Sequence, residues 1–273
     1  MIGMKKNMSH YFVAVCLGLL LQPLYAQQES ASAQEPLDLY LLIGQSNMAG
    51  RGTVEPQDLE PHPRVLTLNK ENQWVPAIDP IHFDKSIAGV GPGRTFGLMM
   101  AKRSPSARIG LIPCAVGGTS IRKWQPGGWD DKTKTHPYDD MLKRLRLARQ
   151  SGVVKGILWH QGESDGKMGT NGTYASALTT LIERLRTGCE DPNVPFVIGQ
   201  LGQFSKRPWS EGRTKVDQAH RQVAEQIKHV GFVSAKGLSD RGDLVHFDAL
   251  SARLLGKRFA EKMIELQKQQ ERF

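Results

Sequence analysis

The chain has 273 residues, 39% of them hydrophobic and 23% charged, with a formal net charge of +9. That length suits one α/β domain whose core needs no covalent staples, and the ordinary composition excludes a disordered chain or a polytopic membrane protein. A basic balance alone is compatible with nucleic acid, anionic lipid or an acidic substrate.

The N-terminus comes first and changes that account. Lys5 and Lys6 precede an apolar stretch from Tyr11 to Leu21, Pro23 breaks it, and Leu24-Tyr25-Ala26 precedes Gln27. A charged start, a short apolar run and a small residue before the break predict an export signal over residues 1–26, cleaved near Ala26. The run falls short of the ~20 apolar residues of a membrane-spanning helix. An uncleaved anchor and lipidation at Cys16 are the competing readings, the latter disfavoured by the bulky Val15. Removing residues 1–26 leaves 247 of the 273 residues and takes two lysines away, so that +9 becomes +7. The product is expected to be exported, periplasmic or secreted, with no stable membrane insertion. Residues 27–36 (QQESASAQEP) are small and polar and predict a short disordered linker. One domain is expected over residues 37–273.

Within that domain short apolar runs alternate with amphipathic segments. The first strand is predicted over Leu37–Ile43 and a second over Arg64–Leu68. Gly89-Val-Gly-Pro-Gly-Arg94 follows, which lacks the Gly-Lys-Ser/Thr ending and the preceding strand of a phosphate loop; it is expected to line a pocket rim or to open a helix over Thr95–Lys102. Next come a strand over Arg108–Pro113, a helix over Tyr138–Gln150, a strand over Val153–Trp159 and a helix over Thr173–Arg186. A strand over Phe196–Gly199, a helix over Thr214–His229, a strand over Gly231–Ser234 and a helix over Ala249–Gln267 complete the series. Nearly continuous apolar strands alternating with helices predict a mostly parallel sheet covered on both faces. Ligands of such sheets bind beyond the carboxyl ends of the strands.

Chemistry-bearing residues gather at those ends. Gly44-Gln45-Ser46-Asn47-Met48-Ala49-Gly50 follows the first strand; Ser46 there is either a turn serine or a nucleophile, and the block is not the Gly-x-Ser-x-Gly elbow. Cys114-Ala-Val-Gly117-Gly118-Thr119 follows the third strand, where adjacent glycines allow a backbone N–H to approach a ligand or simply make a tight turn. His160-Gln161-Gly162-Glu163 follows the fourth; a buried side-chain amide such as Gln161 can donate to an oxyanion, and Glu163 can orient a histidine or cap the turn. Asp243 and His246 stand three apart near the C-terminus, a spacing that lets a carboxylate fix an imidazole, and Asp248 suits the cap of the last helix. Arg122 and Trp124 lie beyond the Gly-Gly turn, with Trp129 further on, and read equally as sugar contacts or as a packed loop with a solvated arginine. Cys114 and Cys189 remain after signal removal; they can pair in an oxidising compartment, and a buried free thiol fits Cys114 at least as well.

Taken together, these blocks resemble the SGNH hydrolase superfamily and, within it, the carbohydrate esterase family 6 or sialate O-acetylesterase-like branch. The matching residues span 38–259. The resemblance implies a three-layer α/β/α sandwich, flavodoxin-like, with a mostly parallel sheet of about five strands. It implies Ser46 as nucleophile, His246 as general base and an oxyanion hole from the Ser46 N–H, a glycine N–H and a side-chain amide. Gly118 is preferred over Gly117 for the glycine, and Gln161 stands where most of the superfamily has asparagine. Asp243 is the expected partner of His246, with Glu163 kept as an orienting carboxylate. Gln45, Asn47, Gly117, Arg122 and Trp124 are candidate substrate contacts.

The implied activity is removal of O-acetyl groups from carbohydrates, of acetylxylan or sialic-acid type, with no metal or organic cofactor. The rivals are an esterase of other acyl or alcohol specificity, such as a lipase or aryl esterase, and a non-catalytic carbohydrate-binding protein. Polar loops argue against a lipid substrate, and a binder has no use for the nucleophile. No nucleic-acid motif accompanies the positive charge, which is spread over helix faces such as Lys143–Arg149. The oligomeric state is not encoded in any motif.

Overall fold

The computed structural model of the chain describes residue 2, residues 35–168 and residues 172–271. Apart from residue 2, the expected export signal lies outside the described residues, as do Cys16 and most of the linker.

Seven strands form one sheet: β1 (Leu37–Gly44), β2 (Val65–Leu68), β3 (Trp74–Pro76), β4 (Arg108–Pro113), β5 (Gly152–His160), β6 (Phe196–Gly199) and β7 (Val230–Val233). Their order is β3-β2-β4-β1-β5-β6-β7. All neighbours run parallel except the β2–β3 hairpin. The helices are α1 (Ser46–Ala49), α2 (Pro92–Arg103), α3 (Pro137–Ala148), α4 (Glu163–Met168), α5 (Tyr174–Cys189), α6 (Glu211–Gln226) and α7 (Ala249–Gln270).

The apolar runs are continuous because both sheet faces are covered. Along β1, Leu37, Leu39, Leu41 and Ile43 enter one core with residues of α3, α5 and α6, while Tyr40 and Leu42 enter the other with residues of α2 and α7. The period-2 alternation of a strand sends successive side chains into two cores, so neither face can be polar. Three layers result, as expected.

The strand count differs from expectation. The sheet has seven strands rather than about five, because the β2–β3 hairpin adds two at the β4 edge. The five parallel strands β4-β1-β5-β6-β7 keep the 2-1-3-4-5 arrangement of flavodoxin, as expected, and the β2–β3 hairpin extends the sheet beyond β4. Helix starts follow local chemistry: Pro92 opens α2 with Gly91 at its cap, and the Asp248 carboxylate caps α7 by accepting from Ser251 N at 2.7 Å. The short helices α1 and α4 were not foreseen. Cys114 and Cys189 are both buried free thiols, not a disulfide; burial pushes them up to about 11 and about 12 respectively. Among the described residues no helix is long and apolar enough to cross a membrane.

Candidate active site

The carboxyl ends of β1, β4 and β5 lie side by side, and the loop before α7 closes over them. Gly44 makes the first approach possible. Its φ is +130°, and a Cβ there would stand 2.1 Å from the His160 carbonyl oxygen, so only glycine fits. The chain then turns directly into α1, with Gln45 N donating to His160 O at 2.9 Å. Ser46 is thereby the first residue of α1, where a backbone N–H has no partner within its helix.

Ser46 and His246 meet at 3.0 Å between Oγ and Nε2. His246 Nδ1 lies 2.7 Å from Asp243 Oδ2, and Asp243 Oδ1 accepts the backbone N–H groups of His246 (2.8 Å) and Val245 (2.9 Å). Partial burial pushes the Asp243 carboxyl up, but the His246 N–H, the His246 ring and the Val245 N–H together hold it below its ordinary value. An ionised carboxylate on Nδ1 selects the tautomer with its proton there, which turns the Nε2 lone pair toward Ser46.

Asn47 and Glu163 form a second tier behind this line. The Asn47 amide nitrogen donates to Glu163 Oε1 at 2.6 Å and to Val245 O at 3.1 Å, and its oxygen accepts from Phe247 N at 3.1 Å. Asn47 is thus joined to both neighbours of His246 and is not a free substrate contact. Glu163 reaches the base through Asn47, whereas both His246 ring nitrogens are occupied by Asp243 and Ser46. His160 contributes structure: it is buried, its Nε2 bonds Gln200 O at 2.9 Å, and burial lowers its basicity against the opposing pull of Glu163.

Gln161 is placed differently from expectation. It is fully buried, and its amide nitrogen donates to Thr119 O (2.9 Å), Asp165 Oδ2 (2.5 Å) and Gln45 Oε1 (3.2 Å), while its oxygen accepts from Tyr174 (2.7 Å). A side chain so committed holds loops together and leaves no N–H for an oxyanion. Gln45 is likewise buried, its Oε1 serving Gln161. Trp124 is no sugar platform: it is buried, edge-on to Trp159 at 5.5 Å, with its indole N–H on Thr119 Oγ1 at 3.1 Å. Arg122 is exposed on the short turn before it.

The Gly117–Gly118 turn is anchored by residues the sequence reading passed over. Asp84 Oδ2 accepts from Gly117 N at 2.8 Å and from Arg51 Nη2 at 2.7 Å, and Lys85 Nζ donates to Gly117 O at 2.8 Å. The Arg51 and Asp84 side chains are almost wholly buried. A Cβ on Gly117 would stand 3.5 Å from the Ser46 Cβ, so the turn lies beside the Ser46 side chain. With the Gly117 N–H taken, Gly118, at φ +88°, is the glycine whose N–H is not held by Asp84. Arg51 follows the Ser46 block immediately, but nothing local marks Asp84, which a loop 33 positions on brings to it.

A family model for "carbohydrate esterase, sialic acid-specific acetylesterase" matches residues 36–265. A probable carbohydrate esterase of Arabidopsis thaliana is 31% identical over 255 residues, spanning 85% of this chain and 92% of its own length. The X-ray structure of that Arabidopsis protein aligns with a TM-score of 0.74 at 30% identity, covering 84% of this chain and 98% of its own. NanS aligns at 17% identity with a TM-score of 0.71 over 86% of this chain and 99% of its own. A carbohydrate acetylesterase from Xanthomonas citri aligns at 20% identity with a TM-score of 0.64, over 82% of this chain and 55% of its own. The last two likenesses concern the fold alone.

Proposed function

The chain belongs to the family of carbohydrate esterases described as sialic acid-specific acetylesterases, and from that premise we propose that it removes O-acetyl groups from carbohydrates, with Ser46 as nucleophile. Membership makes it a carboxylic ester hydrolase. The observation that carries the finer reading is the hydrogen-bonded line Asp243–His246–Ser46, at 2.7 and 3.0 Å.

The reaction is a two-step acyl transfer. His246 Nε2 takes the Ser46 proton as Oγ attacks the acetyl carbonyl. Asp243 keeps the ring oriented and stabilises the imidazolium. Negative charge develops on the carbonyl oxygen, and the N–H groups of Ser46 and Gly118 are its donors here, in place of the committed Gln161 amide. His246 then protonates the departing sugar oxygen and the alcohol leaves. Water enters, gives a proton to the same nitrogen, and attacks the acetyl-enzyme, so that acetate is released and Ser46 regains its proton.

The signal-like pattern of Lys5, Lys6 and Tyr11–Leu21 supports export, which would place the enzyme where polymeric glycans are met. Acetate release from acetylated xylan, pectin and sialic acid, with Ser46→Ala as control, tests the proposal. Release by the wild type and none above background by the variant is expected. Equal release by both removes Ser46 from the mechanism.

A further inference from the structure

Two consecutive residues of one loop grip the Gly117–Gly118 turn from both sides. Asp84 Oδ2 accepts the Gly117 N–H at 2.8 Å, and Lys85 Nζ donates to the Gly117 carbonyl oxygen at 2.8 Å. The loop turns at this point, with Ala88 N donating to Lys85 O at 3.0 Å.

The two bonds act on different peptide units. The Gly117 N–H belongs to the peptide that joins Val116 to Gly117. The Gly117 carbonyl belongs to the next peptide, whose N–H is that of Gly118. A peptide is planar and resonance-coupled. A cation on its oxygen therefore draws electron density from its nitrogen and strengthens the N–H as a donor, as in any polarised chain of hydrogen bonds. Lys85 thus acts from the far side of the same peptide on the N–H proposed above as a donor to the oxyanion. Gly117 is buried and Gly118 is exposed. Among the described residues the Gly118 N–H has no hydrogen-bond partner, so its donor capacity is left for a ligand.

Charge gives the effect a direction. Arg51 and Asp84 compensate each other at 2.7 Å. Lys85 makes no ion pair among the described residues, and its Nζ stands 3.9 Å from where a Cβ on Gly118 would lie. One uncompensated positive charge is thereby fixed beside the turn. Negative charge that develops on the ester oxygen only in the transition state gains more from a fixed cation than the neutral ester does.

We propose that Lys85 is a positioning residue of the ester cleavage, whose ammonium polarises the Gly117–Gly118 peptide and so strengthens the Gly118 N–H as an oxyanion donor. This rests on the esterase reading above, with Gly118 as a donor, and adds the residue that tunes that donor. The test measures kcat and KM with 4-nitrophenyl acetate, which has no sugar for Lys85 to touch. It also measures inhibition by phenylboronic acid, whose tetrahedral adduct with a serine hydroxyl mimics the transition state. Lys85 is half-buried; Lys85→Met keeps the stem and removes the charge and the donors, and Lys85→Arg keeps all three. A direct oxyanion donor is worth about 10²–10³-fold in kcat, and strengthening one is expected to be worth about ten-fold. Lys85→Met should lose about that factor in both kcat and boronate affinity, with KM within about two-fold and Tm unchanged. Lys85→Arg should recover most of both. A kcat and a boronate affinity within about two-fold of the wild type in Lys85→Met overturn the proposal and leave the esterase standing. So does a loss carried by KM alone, or one that comes with a lowered Tm and is not recovered by Lys85→Arg, which would make Lys85 a brace of the turn. A wild type that neither cleaves the phenyl ester nor binds the boronic acid overturns the esterase reading as well.

Discussion

Ser46 and His246 are 200 positions apart in the chain and 3.0 Å apart at Oγ and Nε2. The sheet order makes that proximity possible. Ser46 leaves the central strand β1, and the loop carrying His246 precedes α7, which packs on the same face as α2. A base that reaches Ser46 by such a long route is held by everything between them, and the predictions follow from those supports.

Asp243→Asn removes the ionised partner of Nδ1 and allows the ring the wrong tautomer. Loss of kcat by as much as 10³–10⁴-fold is the order of magnitude for a buried triad carboxylate. Here the Asp243 side chain is 42% exposed, so water shares the carboxylate and a loss toward the lower end is expected. Steady-state kinetics with 4-nitrophenyl acetate, alongside thermal unfolding to confirm the fold, measure it.

Asn47 joins α1 to Val245, Phe247 and Glu163. Asn47→Ala should therefore lower kcat by about 10²-fold, through displacement of the base relative to the hydroxyl, with little change in KM. Glu163→Gln should be milder than Glu163→Ala, because its carbonyl oxygen can still accept from Asn47. Equal losses in the two Glu163 variants would mean that the carboxylate charge, not the hydrogen bond, matters.

Gln161 and Gly118 should separate cleanly. Gln161→Ala deletes a buried network and is expected to lower stability by roughly 1–3 kcal/mol, with activity falling as the loops loosen. Gly118→Ala meets open space, its nearest neighbour being Lys85 Nζ at 3.9 Å, but forces a side chain onto φ +88°. It should tilt the turn and lower kcat with a stability cost of only about 1 kcal/mol. Denaturant titration beside kinetics distinguishes the two patterns.

Asp79 supplies a pH-dependent test of the scaffold. It is buried, and burial together with the nearby Asp58 raises its carboxyl to about 7. A carboxyl raised above its unfolded value of 3.8 favours the folded state most when protonated. Its ionisation withdraws stability as pH rises from about 4 to about 7. Asp79→Asn removes the buried charge at similar shape, so its gain in Tm should be largest above pH 7 and shrink as pH falls. Melting curves of both proteins at pH 5 and pH 8 give the answer.

Much of this architecture was legible in the sequence for a simple reason. Strands covered on both faces are apolar over most of their length, with the charged residues Asp38, Arg108 and Lys155 confined to their first halves, so β1, β4, β5 and β6 announce themselves. β3 could not, being three residues that end in Pro76 on a sheet edge. Ser46, Asp243 and His246 each read ambiguously in isolation, and their roles come from the likeness of their blocks to a known family, not from spacing alone. What the sequence withheld was direction. Gln161 and Trp124 have the right chemistry for an oxyanion donor and a sugar platform, but both point into the body of the protein, one onto Thr119 and Asp165, the other onto Trp159. The Arg51–Asp84 pair has no local pattern, because it exists only once the loop after β3 folds back onto α1.

The central claim is that Ser46 Oγ carries the acyl group. Mass spectrometry of the acid-quenched enzyme, taken within the first turnovers on an acetyl ester and followed by digestion, addresses it directly. An added acetyl group is expected on the peptide containing Ser46 in the wild type, and none on that peptide in Ser46→Ala. An acetyl group on another residue, or steady turnover by the wild type together with undiminished turnover by Ser46→Ala, would contradict it.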